Sequence, residues 1–182
     1  MKKLLVIAMA LILMWSLCAC VRTDTNIAHY PDHVEEYQAG MFMPALENIG
    51  EYQSVEYRCR KDHGLFPAFS MQLVVKYDED VFTAEKERLE SAYTYLDDAV
   101  KYEDGDYRIP IAEFTCNGMD FKITKFEDTN YPKNFGMVGI SDEKMEIAYL
   151  WFYSQDQDYI CEANENQLKG MNEFIEEYFS LE

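Results

Sequence analysis

The chain has 182 residues, with 34 acidic against 16 basic side chains and a formal net charge of −18 at pH 7. That imbalance repels phosphate backbones, so nucleic-acid binding is excluded as a role. The length fits one globular domain, large enough to build a core without a metal or a disulfide.

In chain order, the first signal is a short cationic start followed by a greasy run. Lys2 and Lys3 precede an apolar stretch from Leu4 to Leu17, which is 14 residues. A transmembrane helix needs about 20, so the run suits the apolar region of a signal peptide. Leu17-Cys18-Ala19-Cys20 closes it. Charge, greasy run and LCAC, in that order, resemble the signal peptide and lipobox of bacterial lipoproteins. The resemblance implies that residues 1–19 are removed and that the Cys20 thiol receives a diacylglycerol. It further implies a lipid anchor on the extracytoplasmic face of the cell membrane. Cys18 follows the bulky Leu17, so it takes the tolerant position and leaves with the signal. The alternative is an uncleaved signal anchor, with residues 4–21 giving 18 uncharged positions. In both readings the lysines stay inside and everything after residue 20 faces outward. Loss of Lys2 and Lys3 takes the net charge from −18 to −20. The expected partners are therefore the membrane, through the lipid, and a basic protein or a cation; anionic headgroups would hold the domain off.

Residues 20–42 show no sustained period and are expected to form the lipidated N-terminus and a flexible tether, reaching about 75 Å if fully extended. The domain is then expected over 43–182. MPALENIG reads as a short helix, with Pro44 at its first position and Gly50 at its stop. VEYRCR alternates cleanly, with Val55, Tyr57 and Cys59 on one side. KDHG reads as a turn and MQLVVKY as a second strand. A helix is expected from near Thr83, with Phe82, Leu89, Tyr93 and Leu96 inward and Glu85, Glu87, Arg88 and Glu90 outward.

EFTCNGMDFKI carries a strong hairpin signal, because Asn117-Gly118 suits a two-residue turn with both residues at φ > 0. That loop pairs Cys116 with Met119, Phe114 with Phe121, and Glu113 with Lys122. FGMVGI and MEIAYLWFY form a second expected hairpin joined by Ser141–Lys144. Its second arm is apolar on both faces, which predicts a central strand covered on both sides. DYIC reads as a short edge strand. The last helix is expected to be capped by Asn164, with Leu168, Met171, Ile175, Tyr178 and Phe179 on one face. The sum is α+β, with a mostly antiparallel sheet of about six or seven strands and two main helices.

Catalytic motifs are scarce. The sequence holds no GxSxG, Walker loop, GxGxxG or HExxH. Its three histidines are His29, His33 and His63. The first two fall in the expected tether, as does the HYPDH stretch, whose two imidazoles and carboxylate are the donors with which a zinc or copper site starts, and both are read as solvated linker. Asp78-Glu79-Asp80 and Glu103-Asp104-Gly105-Asp106 read as exposed acidic turns; the second fails the spacing of a calcium loop. No catalytic, cofactor or metal residue is assigned, and no cofactor is expected. Cys59, Cys116 and Cys161 all lean inward and are expected to be unbridged, although two inward cysteines on neighbouring strands could oxidise. The order MP-x-L, alternating strand, VKYD, helix and paired hairpins resembles small lipoproteins of low-GC Gram-positive bacteria, a resemblance that implies no activity. The expected function is a membrane-anchored, non-catalytic binding domain. The alternatives are a hydrolase working with carboxylates alone and an immunity-type protein that blocks a basic partner.

Overall fold

The computed structural model describes residues 21–63, 66–127 and 129–181; the signal segment and Cys20 lie outside the described residues, as does Gly64 of the expected KDHG turn. The architecture is α+β, built on a mostly antiparallel sheet. Its strands are β1 (Val21–Asp24), β2 (Ser54–Asp62), β3 (Ala68–Lys76), β4 (Thr94–Tyr95), β7 (Glu113–Cys116), β8 (Met119–Lys125), β9 (Asn134–Ser141) and β10 (Glu146–Ser154). Spatial order is β1-β2-β3-β10-β9-β8-β4, with β7 paired to β8. A separate two-stranded ribbon joins β5 (Val100–Lys101) to β6 (Tyr107–Ile109). The helices are α1 (Tyr30–Glu36), α2 (Glu79–Ala92) and α3 (Gln167–Tyr178). Among the described residues, no helix is long and apolar enough to cross a membrane.

Strand β10 explains the layering. Its odd residues Ile147, Tyr149 and Trp151 enter one core cluster, and its even residues Ala148, Leu150 and Phe152 enter the other. It sits between β3 and β9, as a strand apolar on both faces must. α2 and residues 27–49 cover the first face, where Phe82, Leu89, Tyr30, Phe42 and Met43 pack. α3 covers the second through Met171, Phe174 and Ile175. Each such side chain, fully buried, contributes about 1.5–3 kcal/mol of hydrophobic driving force. Two aromatic rings lie flat on β9, one per face. A Cβ on Gly136 would stand 2.6 Å from the Phe42 ring, and one on Gly139 would stand 2.3 Å from Phe121. Only glycine lets rings approach a strand that closely.

The β7–β8 hairpin has the expected register, Cys116 opposite Met119 and Glu113 opposite Lys122. Asn117 and Gly118 have φ of 50° and 75°. The β9–β10 loop is shifted by one residue from the expected Ser141–Lys144, to residues 142–145. It closes on Ser141 and Glu146, and Met145 takes φ 56° in the turn instead of opening the strand.

Several expectations need correction. First, residues 21–42 are not a tether. β1 pairs with β2 from Val21 opposite Asp62 to Asp24 opposite Cys59. Tyr30, His33, Ala39 and Phe42 are buried against the sheet. The segment shows no period because it is broken into a four-residue strand, a seven-residue helix and tight turns. Each piece is too short to display one. Second, MPALENIG forms only a single 3₁₀ turn, Leu46–Asn48, between the extended residues Ala45 and Ile49. Third, α2 begins at Glu79 behind Asp78, so the acidic run is its first turn, where carboxylates favour the helix dipole. On its expected outer face Glu85 is buried, paired to Arg88 at 2.8 Å. Fourth, Asn166 rather than Asn164 caps α3, accepting from the Lys169 amide at 2.9 Å. Leu168 then points outward. The expected DYIC strand reduces to one bridge, Cys161 to Tyr107.

Candidate functional site

Two polar features stand out, one on each face of the β1–β2 edge. The first is built by the segment expected to be linker. Asp24 ends β1, and its Oδ1 accepts the Asn26 amide at 2.9 Å. Asn26 in turn caps the 3₁₀ turn Ile27–His29 through the Ala28 amide. That turn aims His29 back, Nδ1 lying 2.7 Å from Asp24 Oδ2. One helical turn later, His33 Nε2 lies 3.9 Å from the same oxygen, and its Nδ1 shares a hydrogen bond with the Tyr57 hydroxyl on β2. A chain His29–Asp24–His33–Tyr57 results, running from solvent inward. The Asn26 amide, then His29, holds the Asp24 carboxyl below its usual range. Burial, with help from Lys61, holds the His33 imidazole below its own. Burial pushes the Tyr57 hydroxyl up, with Cys59 beside it adding to the rise.

This arrangement corrects the solvated-linker reading of His29 and His33. The carboxylate that joins them is Asp24, not the sequence-adjacent Asp32. Among the described residues, no group of three His, Cys, Asp or Glu side chains could hold a metal ion. The second acidic loop is used internally: Asp104 accepts the Asp106 amide at 3.1 Å, and Asp106 accepts the Ala163 amide at 2.9 Å.

The second feature is a groove of about 370 Å³ on the opposite face, floored by β2 and β3. Register sets its floor in rows across β2, β3 and β10: Ser54–Lys76–Glu146, then Glu56–Val74–Ala148, then Arg58–Gln72–Leu150. α3 does not reach this corner of the sheet. The chain beyond α3 borders it instead, laid down as extended backbone held by side chains. At the last turn of α3, Ser70 Oγ donates to the Tyr178 carbonyl at 2.5 Å and Arg60 donates to the Glu177 carbonyl. Gln72 donates to the Ser180 carbonyl at 3.0 Å and accepts the Ser180 amide at 3.1 Å. Asn117, in the β7–β8 turn, donates to the Leu181 carbonyl at 3.1 Å.

The groove collects cations in an acidic chain. Arg58, Lys76 and Lys144 line it with Glu56 and Glu146. Arg58 Nε is buried without a hydrogen-bond partner. Neither Arg58 nor Lys76 has an ion-pair partner among the described residues. Several bases elsewhere are paired, as in Lys61–Glu36 at 3.0 Å and Lys122–Glu90 at 3.0 Å. Chemically, the floor can hold an extended chain by amide-type hydrogen bonds and neutralise a carboxylate beside it. Sequence reasoning missed it because its residues come from β2, β3, β10, a turn and the last few residues. The alternation of Glu56, Arg58 and Arg60 did mark that face of β2 as polar.

Cys59, Cys116 and Cys161 are free and buried. Burial pushes the Cys59 thiol up to about 11, which leaves it a thiol at neutral pH. Compared with protein-family models, with curated proteins and with solved structures, the chain matches none.

Proposed function

We propose that the protein is a lipoprotein, anchored through a diacylglycerol on Cys20 to the outer face of the cell membrane, whose domain binds a partner without catalysis. The anchoring half of the reading is carried by the sequence of the first twenty residues, Lys2 and Lys3, the apolar run Leu4 to Leu17 and LCAC, in that order. The lipobox reading of LCAC puts the cut before Cys20, and two or more acyl chains make such an anchor firm.

The binding half rests on the groove over β2 and β3. Arg58 and Lys76 there have no ion-pair partner among the described residues, and the chain beyond α3, residues 179–181, already lies along its border. An extended anionic chain is the ligand class this suits. The acidic remainder of the surface suits a basic partner, and the two are compatible on one molecule.

The experiment is intact-mass spectrometry of protein extracted from membranes, beside a Cys20→Ala variant. The wild-type protein should carry the mass of residues 20–182 plus lipid. Cys20→Ala should stay unprocessed or leave the membrane fraction. A wild-type mass with the signal removed and no lipid would rule the anchor out.

A further inference from the structure

One end of the sheet has a surface unlike the rest. Val21 is 47% exposed, Met41 49% and Phe66 60%, three of the six large hydrophobics exposed among the described residues. All three gather where β2 ends and β3 begins. Val21 lies opposite Asp62, the last residue of β2. Phe66 lies in the connection from Asp62 to Ala68. Met41 lines a hollow with Tyr37, Phe69 and Tyr153, from the same end of β3 and β10. Those three rings form a partly exposed stack, Tyr37 to Phe69 at 3.6 Å and Phe69 to Tyr153 at 4.8 Å between centroids.

Cations flank the stack. Lys61 sits 4.8 Å above the Tyr37 ring and pairs with Glu36. Arg22 stands directly across β1–β2 from Lys61. Like charges opposite one another weaken a strand pair, so the sheet gives no reason for Arg22 to be there. It has no ion-pair partner among the described residues. Apolar tips, half-exposed aromatic rings behind them and basic side chains alongside are the composition of a membrane interface.

We propose that this end is a membrane-docking rim, with Val21, Met41 and Phe66 entering the headgroup–acyl boundary of the same bilayer that holds the Cys20 lipid. The inference rests on the lipid-anchor reading above. Geometry argues for a bilayer as the occupant. Val21 follows Cys20 directly, and one residue spans about 3.8 Å. The anchor therefore delivers the rim to the headgroups with no slack in between. Charge sets the orientation. The mature balance of −20 is repelled by anionic lipid, whereas Arg22 is attracted to its phosphates. The expectation that headgroups hold the whole domain off is thus replaced by a domain standing on one end.

The test uses the lipidated protein in phosphatidylcholine–phosphatidylglycerol vesicles with brominated acyl chains. Phe66→Trp puts an indole on the rim. Tyr52→Trp puts one at the far end, beside the start of β2, and native Trp151 is buried at 2% exposure as an internal reference. The rim indole should emit at shorter wavelength on vesicles and be quenched several-fold more than the one at position 52. Equal quenching at both positions, or none at position 66, overturns the rim. Absence of lipid by mass overturns the anchor instead, so the two failures are told apart. A rim indole that shifts only in native membranes, and never on vesicles, means a protein partner covers this end and also overturns the proposal.

Discussion

The Gln72 side chain holds the Ser180 backbone from both sides, donating to its carbonyl at 3.0 Å and accepting its amide at 3.1 Å. One side chain thereby does for Ser180 what a neighbouring strand does for a residue in a β-ladder. Gln72 is itself buried, so truncating it leaves two backbone groups without partners at the edge of the core. Gln72→Ala should cost about 1–3 kcal/mol. Hydrogen exchange at the Ser180 amide should accelerate while amides in β10 stay protected. Unchanged exchange at Ser180 would mean that Ser70, Arg60 and Asn117 suffice to hold the segment.

Gly139 and Phe121 form a second pair whose closeness is testable. A Cβ at 139 would meet Phe121 Cε1 at 2.3 Å, inside van der Waals contact. Gly139→Ala should destabilise by about 1–3 kcal/mol, the usual range for overpacking. Phe121→Leu removes the clash, so the double variant should lose less than the sum of the two single changes. Chemical denaturation of the four proteins measures it; strict additivity would show that the ring is not what excludes a side chain there.

His33 gives the fold a pH dependence of definite sign. Burial and Lys61 lower its affinity for protons, while Asp24 and Glu36 oppose them without prevailing. His29 adds to the lowering, and the Tyr57 hydroxyl faces the other ring nitrogen. The unfolded chain, at the ordinary value of 6.5, therefore takes up a proton before the folded one does. Stability from this group is complete above that value and declines as pH falls below it. Asp24 acts in a lower window, its contribution present above 3.8 and lost beneath it. Denaturation midpoints should fall from about pH 7 to about pH 5 more steeply in the wild type than in His33→Gln. Parallel profiles would assign the slope to other groups.

The three cysteines should behave as small hydrophobes. Cys59, Cys116 and Cys161 are buried and free, and burial raises all three thiols. The processed protein with Cys20 lipidated should react slowly when native with a disulfide reagent such as dithionitrobenzoate, and should release three equivalents when denatured without prior reduction. Fewer than three would reveal a bridge.

Local chemistry made a good part of this legible in advance. Asn117-Gly118 fixes the β7–β8 register because the demand for φ > 0 at both residues is met within four positions of chain. The two-faced pattern of Ile147–Phe152 places β10 in the middle of the sheet, because only a strand covered on both sides can bury every residue. The α+β class follows from such segments added in order. LCAC, likewise local, carries the lipid-anchor proposal. What escaped the sequence was whatever depends on a distant partner. Val21–Asp24 is a strand only because Cys59–Asp62 offers it an edge, and its own residues are mostly exposed. Glu85 faces inward because Arg88, three residues along, neutralises it there. Asn166 outcompetes Asn164 as a cap because Met171, Phe174 and Ile175 must meet Phe135 and Phe152, and that contact sets the turn on which α3 starts. The His29–Asp24–His33–Tyr57 chain and the groove have the same origin. The groove gathers residues far apart in sequence, and although Asp24, His29 and His33 fall within ten positions, only the pairing of β1 with β2 fixes them beside Tyr57.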